Sequence, residues 1–206
     1  MPSLGSAVMS WEGSAAQQTS NDKRARLLQV IAEKSLVLSQ GEPFQLASGG
    51  TSTYLFDMKP TSMDPEGSNL IADLILEVLS TERCDYIGGL ELGAVPIVSA
   101  VCVKSLFLRP ISSFAVRKVA KDRGTKKQIE GNLAAGSYVV LLDDVTTTGS
   151  SVLQAVEAVR ALGCHVNKVV TVVDRLEGAE ENFARHGIEL TALFDVTDFG
   201  ITPPQS

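Results

Sequence analysis

Hydrophobic residues in this chain fall into short runs separated by polar, glycine-containing breaks, and the period of the pattern changes along its length. Runs at residues 84–87, 111–116, 139–142, 166–173 and 190–194 are bounded by turn residues and mostly rich in valine and isoleucine, which predicts strands, several of them buried on both faces. Between them, apolar positions at helical spacing predict helices over residues 93–105, 150–162 and 179–186. Alternating units of this kind call for a parallel sheet covered by helices on both sides. Ahead of them, Leu27, Leu28, Ile31 and Leu36 mark a helix starting at Lys23 and ended by the polar turn at 39–43. Asp64, Pro65 and Glu66 open a second helix, with Leu70, Ile71, Leu74, Ile75, Val78 and Leu79 behind them. Residues 44–47 and 53–58 predict two strands of a hairpin set apart from the main sheet. Residues 1–21 are small and polar around Trp11, show no sustained period, and read as a mobile tail.

The stretch at 139–151 carries the most chemistry. An apolar run enters the paired acids Asp143 and Asp144, then Val145, Thr146, Thr147, Thr148, Gly149, Ser150 and Ser151, then an amphipathic helix. Carboxylates at the carboxyl end of a buried parallel strand lie where open α/β sheets bind ligands. The glycine permits close backbone approach, the hydroxyls donate, and the following helix presents unpaired N–H groups, so the loop suits a phosphate. No Gly-Lys-Ser/Thr and no G-x-G-x-x-G is present, which sets aside a Walker loop and a dinucleotide fingerprint. Taken alone, the stretch is also compatible with a buried strand and an acidic helix cap. In full it resembles the phosphoribosyl-pyrophosphate signature of the type I phosphoribosyltransferases.

Composition narrows the class. A chain of 206 residues with 44% hydrophobic and 20% charged content has room for a substantial core. A net charge of -6 argues against nucleic acid or an anionic membrane as the main partner. The scattered Cys84, Cys102 and Cys164 form no C-x-x-C pair, no apolar run reaches membrane-spanning length, and no secretory signal opens the chain. A cytoplasmic protein with reduced thiols is expected.

Three further stretches refine the chemistry. Residues 88–96, Gly-Gly-Leu-Glu-Leu-Gly-Ala-Val-Pro, read as a glycine-rich turn before a helix, suited to a second phosphate or to structural duty alone. Six of the 18 basic residues fall between Arg117 and Lys127, either a solvated charge run or a cationic lid beside the phosphate loops. Asp174-Arg175-Leu176-Glu177-Gly178 ends a later strand, and its guanidinium suits a carboxylate or imide edge if it is not simply a surface turn.

The pattern Arg-Lys-x-x-Lys-x-x-Gly-Thr with trailing Ile-Glu-Gly, together with Asp-Arg-x-Glu-Gly, resembles the orotate phosphoribosyltransferases from about Lys23 to the carboxyl terminus. The resemblance implies the type I phosphoribosyltransferase fold, an α/β domain with a central, mainly parallel sheet flanked by helices and a small N-terminal hood subdomain. Its expected organisation is a disordered tail over 1–22, a helix and hood over 23–64, and a core over 65–206 with a mobile basic loop at 117–131. The implied reaction joins orotate to phosphoribosyl pyrophosphate (PRPP), giving orotidine 5-monophosphate and pyrophosphate, with Mg2+ as cofactor. Asp143 and Asp144 would hold the ribose hydroxyls, and Val145 to Ser151 the 5-phosphate, with Thr147 also meeting orotate. Glu91 would belong to the pyrophosphate turn. Arg117, Lys118, Lys121 and Arg123 would contact donor phosphates, the last three closing catalytically from the neighbouring subunit of a homodimer. Arg175 would meet orotate beneath a hood containing Tyr54 and Phe56.

The chain departs from the family pattern in places. Arg123 stands where histidine is usual and cannot donate a proton near neutral pH. Ala47 replaces a lysine, for which Lys59 is a candidate substitute, and Leu92 stands where some relatives carry lysine. His165 and His186 lack metal-ligand spacing and are assigned no chemistry. The rival functions are transfer to another base and a non-catalytic PRPP-sensing regulator; the basic loop and Arg175 weigh against the first, net acidity against the second.

Overall fold

The computed structural model describes residues 19–45, 50–118 and 128–203. Most of the expected tail, together with Ala47, Lys121 and Arg123, lies outside the described residues.

The first helix, α1 (Ser20–Lys34), starts three residues before the predicted position. Its start is set by a capping box: the Thr19 hydroxyl accepts from the Asp22 amide while the Asp22 carboxylate accepts from the Thr19 amide, both at 3.2 Å. The last residues assigned to the tail are therefore its first turn. Leu36, expected in this helix, instead begins β1 (Leu36–Leu38). The hood is made of very short strands: β2 (Phe44–Gln45) pairs antiparallel with β3 (Thr51–Ser52), and β4 (Tyr54–Phe56) with β1. A one-turn helix not foreseen from the pattern, α2 (Lys59–Ser62), leads to α3 (Pro65–Leu79), whose cap Asp64 accepts from the amides of Glu66 and Gly67 at 3.0 Å.

The core sheet contains β5 (Tyr86–Leu90), β6 (Ser112–Val116), β7 (Ile129–Gly131), β8 (Tyr138–Thr146), β9 (His165–Asp174) and β10 (Glu189–Asp195). Their order is β10-β9-β8-β5-β6-β7, parallel throughout except β7, which runs antiparallel on β6 at the edge. Helices α4 (Ala94–Ser105), α5 (Ser150–Arg160) and α6 (Ala179–Ala184) cover it. The expected α/β architecture with a mainly parallel sheet and small N-terminal antiparallel strands is what the molecule has.

The continuous apolar runs are explained by two cores, one on each face. Along β8, Val140 and Leu142 pack with Ile71, Ile75 and Ile97, while Val139 and Leu141 pack with Val156, Val159 and Phe183. No helix among the described residues is long and apolar enough to cross a membrane.

Two predicted boundaries are corrected. The strand placed at 84–87 runs from Tyr86 to Leu90, so Gly88 and Gly89 lie inside it rather than in a phosphate turn. A Cβ on Gly88 would stand 2.2 Å from the Phe114 ring, and one on Gly89 2.4 Å from the Ala94 Cβ, so these glycines serve close packing. The basic segment expected as a loop over 117–131 ends in a strand, β7, which covers the sheet edge.

Candidate active site at the carboxyl ends of the strands

β8 extends four residues past its predicted end and carries Asp143 and Asp144 into the region where β5, β8 and β9 finish. The Thr146 hydroxyl donates to Asp143 Oδ2 at 2.7 Å, and the Val145 amide donates to Asp144 Oδ1 at 3.0 Å. Burial, aggravated by the charge of Asp144, pushes the Asp143 carboxyl up to about 7; the Thr146 bond and the Lys118 ammonium act against that rise. Asp144 is likewise raised by burial, relieved by backbone N–H groups and by Lys59, and worsened by Asp57.

After the acids the chain turns into α5 through Gly149, which caps the helix at φ 75°. A Cβ here would also stand 2.6 Å from the Phe183 ring, so glycine is required on both counts. Thr148 and Ser150 share a hydroxyl contact of 2.9 Å, and the Asn182 amide donates to the Thr148 carbonyl at 2.8 Å. Thr148, Ser150 and Ser151 are exposed, whereas Thr146 is buried with its hydroxyl committed to Asp143. The solvent-facing hydroxyls of the loop are therefore those of Thr148, Ser150 and Ser151.

The turn between β5 and α4 is Glu91, Leu92 and Gly93. Space for the Asp144 carboxylate exists only because residue 93 lacks a side chain: a Cβ would lie 2.4 Å from Oδ2. Glu91 ties this turn to the root of the basic segment, accepting from the Lys118 amide at 3.2 Å and standing 3.9 Å from Arg117 Nη1. The Arg117 amide donates to the Gln128 carbonyl at 2.8 Å, and Gln128 Nε2 donates back to the Arg117 carbonyl at 3.2 Å.

Arg175 is 7% exposed. Its Nη2 donates to Ser52 Oγ at 3.3 Å, its Nε lies 2.9 Å from Glu177 Oε1, and its guanidinium stacks 4.5 Å over the Tyr54 ring. Its amide donates to the Thr146 carbonyl at 2.9 Å, joining this turn to the loop after the acids. Next to it, Leu176 takes φ 56°, and its amide donates to Asp174 Oδ1 at 2.9 Å. Phe56 stands behind Tyr54, edge-on to its ring at 6.0 Å and to Phe199 at 5.0 Å.

The geometry thus gathers Glu91, Arg117, Lys118, Asp143, Asp144, the 145–151 loop, Arg175 and Tyr54, with Phe56 touching Tyr54 and packed against the core. Sequence reasoning missed Ser52, Asn182 and Asp57, none of which sits in a recognisable motif. Glu177 was quoted within its motif without a role. Among the described residues no group of three or more His, Cys, Asp or Glu is placed to hold a metal ion. The hard oxygen donors present, two adjacent carboxylates beside hydroxyls, are those suited to a magnesium ion that also takes oxygens from a bound phosphate ester.

Comparison with known proteins shows the family. The phosphoribosyl transferase domain family matches residues 64–192. An orotate phosphoribosyltransferase of Bradyrhizobium sp. is 47% identical over 181 residues, covering 85% of this chain and 96% of its own. One from Aquifex aeolicus is 44% identical over 177 residues, covering 85% and 97%. Among solved structures, the Mycobacterium tuberculosis orotate phosphoribosyltransferase in complex with PRPP superposes with a TM-score of 0.69 at 30% identity, covering 86% of this chain and 92% of that one. Its complex with Fe(III) dicitrate gives 0.75 at 34%, covering 87% and 99%.

Proposed function

The chain belongs to the orotate phosphoribosyltransferases, within the type I phosphoribosyltransferases, and on that footing we propose how its own residues divide the work. The reaction is transfer of the phosphoribosyl group from PRPP to orotate, giving orotidine 5-monophosphate and pyrophosphate in UMP biosynthesis. A bond forms between the orotate ring nitrogen and the anomeric carbon as the bond to pyrophosphate oxygen breaks, and the nitrogen gives up its proton. Positive charge builds on the ribose and negative charge on the leaving group, so placement and electrostatics carry the catalysis and no covalent nucleophile is needed.

The observation that carries this assignment is the bond from the Arg175 amide to the Thr146 carbonyl, which sets a buried guanidinium beside the loop that follows the acids. Asp143 and Asp144 accept the ribose hydroxyls and lie where they favour the cationic ring. The hydroxyls and amides from Val145 to Ser151 hold the 5-phosphate at the start of α5, with Thr147 turned to orotate. Glu91 braces the turn that receives the pyrophosphate. Arg175, oriented by Ser52 and Glu177, meets the orotate, with Tyr54 as its platform. Arg117 and Lys118 contribute positive charge from the root of the basic segment. Lys121 and Arg123 complete the lid, Arg123 by charge alone.

Magnesium, when bound, neutralises charge on the pyrophosphate. Asp143 and Asp144, by holding the ribose, would place the donor whose phosphate oxygens would share the ion with them. The working unit is a homodimer in which the basic segment serves the neighbouring site. This is supported by exposed apolar side chains at the end of α4 and in the turn after it, with Val103 70% and Phe107 84% exposed. They border an open groove of about 670 Å³ between α3 and α4.

The direct test mixes the purified chain with orotate, PRPP and magnesium and follows loss of orotate absorbance together with pyrophosphate release. Orotate-dependent turnover is expected. Turnover only with a different base, or none with any base, overturns the assignment.

A further inference from the structure

The loop assigned to the 5-phosphate turns on one peptide, that between Thr148 and Gly149. Gly149 takes φ 75° and ψ 0°, the values of the third residue in a type II turn. Such a turn converts to type I when its central peptide rotates, which exchanges the directions of one carbonyl and one N–H. A larger side chain at the third position would favour one form, whereas glycine is at ease in both. Glycine is nonetheless imposed here, because a Cβ would stand 2.6 Å from the Phe183 ring. The packing that demands glycine therefore leaves the direction of this peptide to be set by something else.

Asn182, on α6, sets it. Its Nδ2 donates to the Thr148 carbonyl at 2.8 Å while its Oδ1 accepts from Arg185 Nη2 at 3.4 Å, so each end of the side-chain amide has its own partner. The Thr148–Gly149 peptide is trans, and the Gly149 N–H therefore points opposite to the Thr148 carbonyl, away from Asn182. Gly149 is buried, yet none of the described groups accepts from its amide. A buried N–H without an acceptor is rare in a folded chain and marks a place where a ligand oxygen is wanted. The mount itself is firm. Phe183, next to Asn182 and fully buried, packs with Val156 and Val159 of α5 as well as under Gly149. At the other end of α5, Arg160 donates to the His186 carbonyl at 3.1 Å, so α6 is tied to both ends of the helix that the loop starts.

We propose that Asn182 is a positioning residue for the donor: by keeping the Thr148 carbonyl on the α6 side, it presents the Gly149 amide to the 5-phosphate. The inference rests on the 145–151 loop being the 5-phosphate site. That loop, Val-Thr-Thr-Thr-Gly-Ser-Ser, contains no lysine or arginine, so the phosphate depends on amides and hydroxyls alone. The Thr146 hydroxyl is already committed to Asp143. Rotating the Thr148–Gly149 peptide would both withdraw a donor and turn a carbonyl oxygen towards an anion. Hydrogen bonds to a charged acceptor are the strong ones, and the direction of a single amide consequently matters to donor binding.

The test compares wild type with Asn182→Ala and Asn182→Leu. Both replacements favour a helix more than asparagine does, so α6 is preserved. Leucine also keeps the side chain's size and fills the space that a water could take in Asn182→Ala. Binding of ribose 5-phosphate and of magnesium-pyrophosphate is measured by competition with PRPP in the forward reaction. Ribose 5-phosphate should bind roughly three- to tenfold more weakly to Asn182→Leu, the worth of one hydrogen bond, and KM for PRPP should rise by a similar factor. Pyrophosphate binding and KM for orotate should stay within about twofold, whereas general loosening of the site would move them as well. Ribose 5-phosphate binding that is unchanged in Asn182→Leu, or weakened equally with pyrophosphate, overturns the proposal. Failure of ribose 5-phosphate to compete with PRPP on wild-type protein would instead overturn the loop assignment on which it rests.

Discussion

The Asp144 carboxylate lies in the space that a side chain at Gly93 would fill, with Oδ2 2.4 Å and Oδ1 2.6 Å from where a Cβ would be. The turn after β5 and the acids of β8 are therefore fitted to each other. Gly93→Ala must push the carboxylate aside, and a displacement of about 1 Å at a positioning group costs on the order of a hundredfold. We expect kcat/KM for PRPP to fall by about that factor with the melting temperature little changed. Wild-type kinetics in this variant would remove Asp144 from the donor site.

Asp143 has a pH signature. Its carboxyl is raised by burial and by Asp144 to about 7, above the ordinary carboxylate value near 3.8. The folded free protein thus binds a proton that the unfolded chain releases, and stability from this group falls as pH rises between those values. Asp143→Asn keeps an acceptor for the Thr146 hydroxyl and removes the penalty. It should melt higher than wild type at pH 8, the gain vanishing near pH 4, while catalysis is lost. An equal gain at both pH values would place its origin elsewhere.

Arg175 is held by Ser52, Glu177 and the Tyr54 ring, a set that needs a planar, forked cation. Arg175→Lys should raise KM for orotate by roughly ten to a hundredfold, the worth of about 1.5–3 kcal/mol for hydrogen bonds to a charged group. KM for PRPP should stay within about twofold. A loss shared equally between the substrates would argue that the turn, not acceptor binding, has been damaged.

The proposed dimer can be tested at the exposed Val103 and Phe107, at and just past the end of α4. Val103→Glu combined with Phe107→Glu should yield monomers at micromolar concentration in sedimentation, with activity lost because the basic segment no longer reaches a neighbouring site. A double variant that stays dimeric places the interface on another surface.

How much of this was legible in the sequence depended on element length and on what each residue faces. The β8 run and its acids could be read because a strand buried on both faces is apolar at every position, and Val139 to Leu142 serve two cores in alternation. The hood was harder, since β1 to β4 span two or three residues each and α2 only four, too few to establish a period. Gly88 and Gly89 were misplaced because glycine signals a turn locally, whereas here the demand comes from Phe114 and Ala94, distant in sequence. The partner of Arg175 was hidden for the same reason: Ser52 reaches it from another part of the chain.

The reciprocal bonds between Arg117 and Gln128 pinch the basic segment at its root. A change made between Lys118 and Gln128 therefore leaves the Glu91 contact with the Lys118 amide standing, so the contents of the segment can be altered while the root that carries Arg117 and Lys118 keeps its place beside the acids.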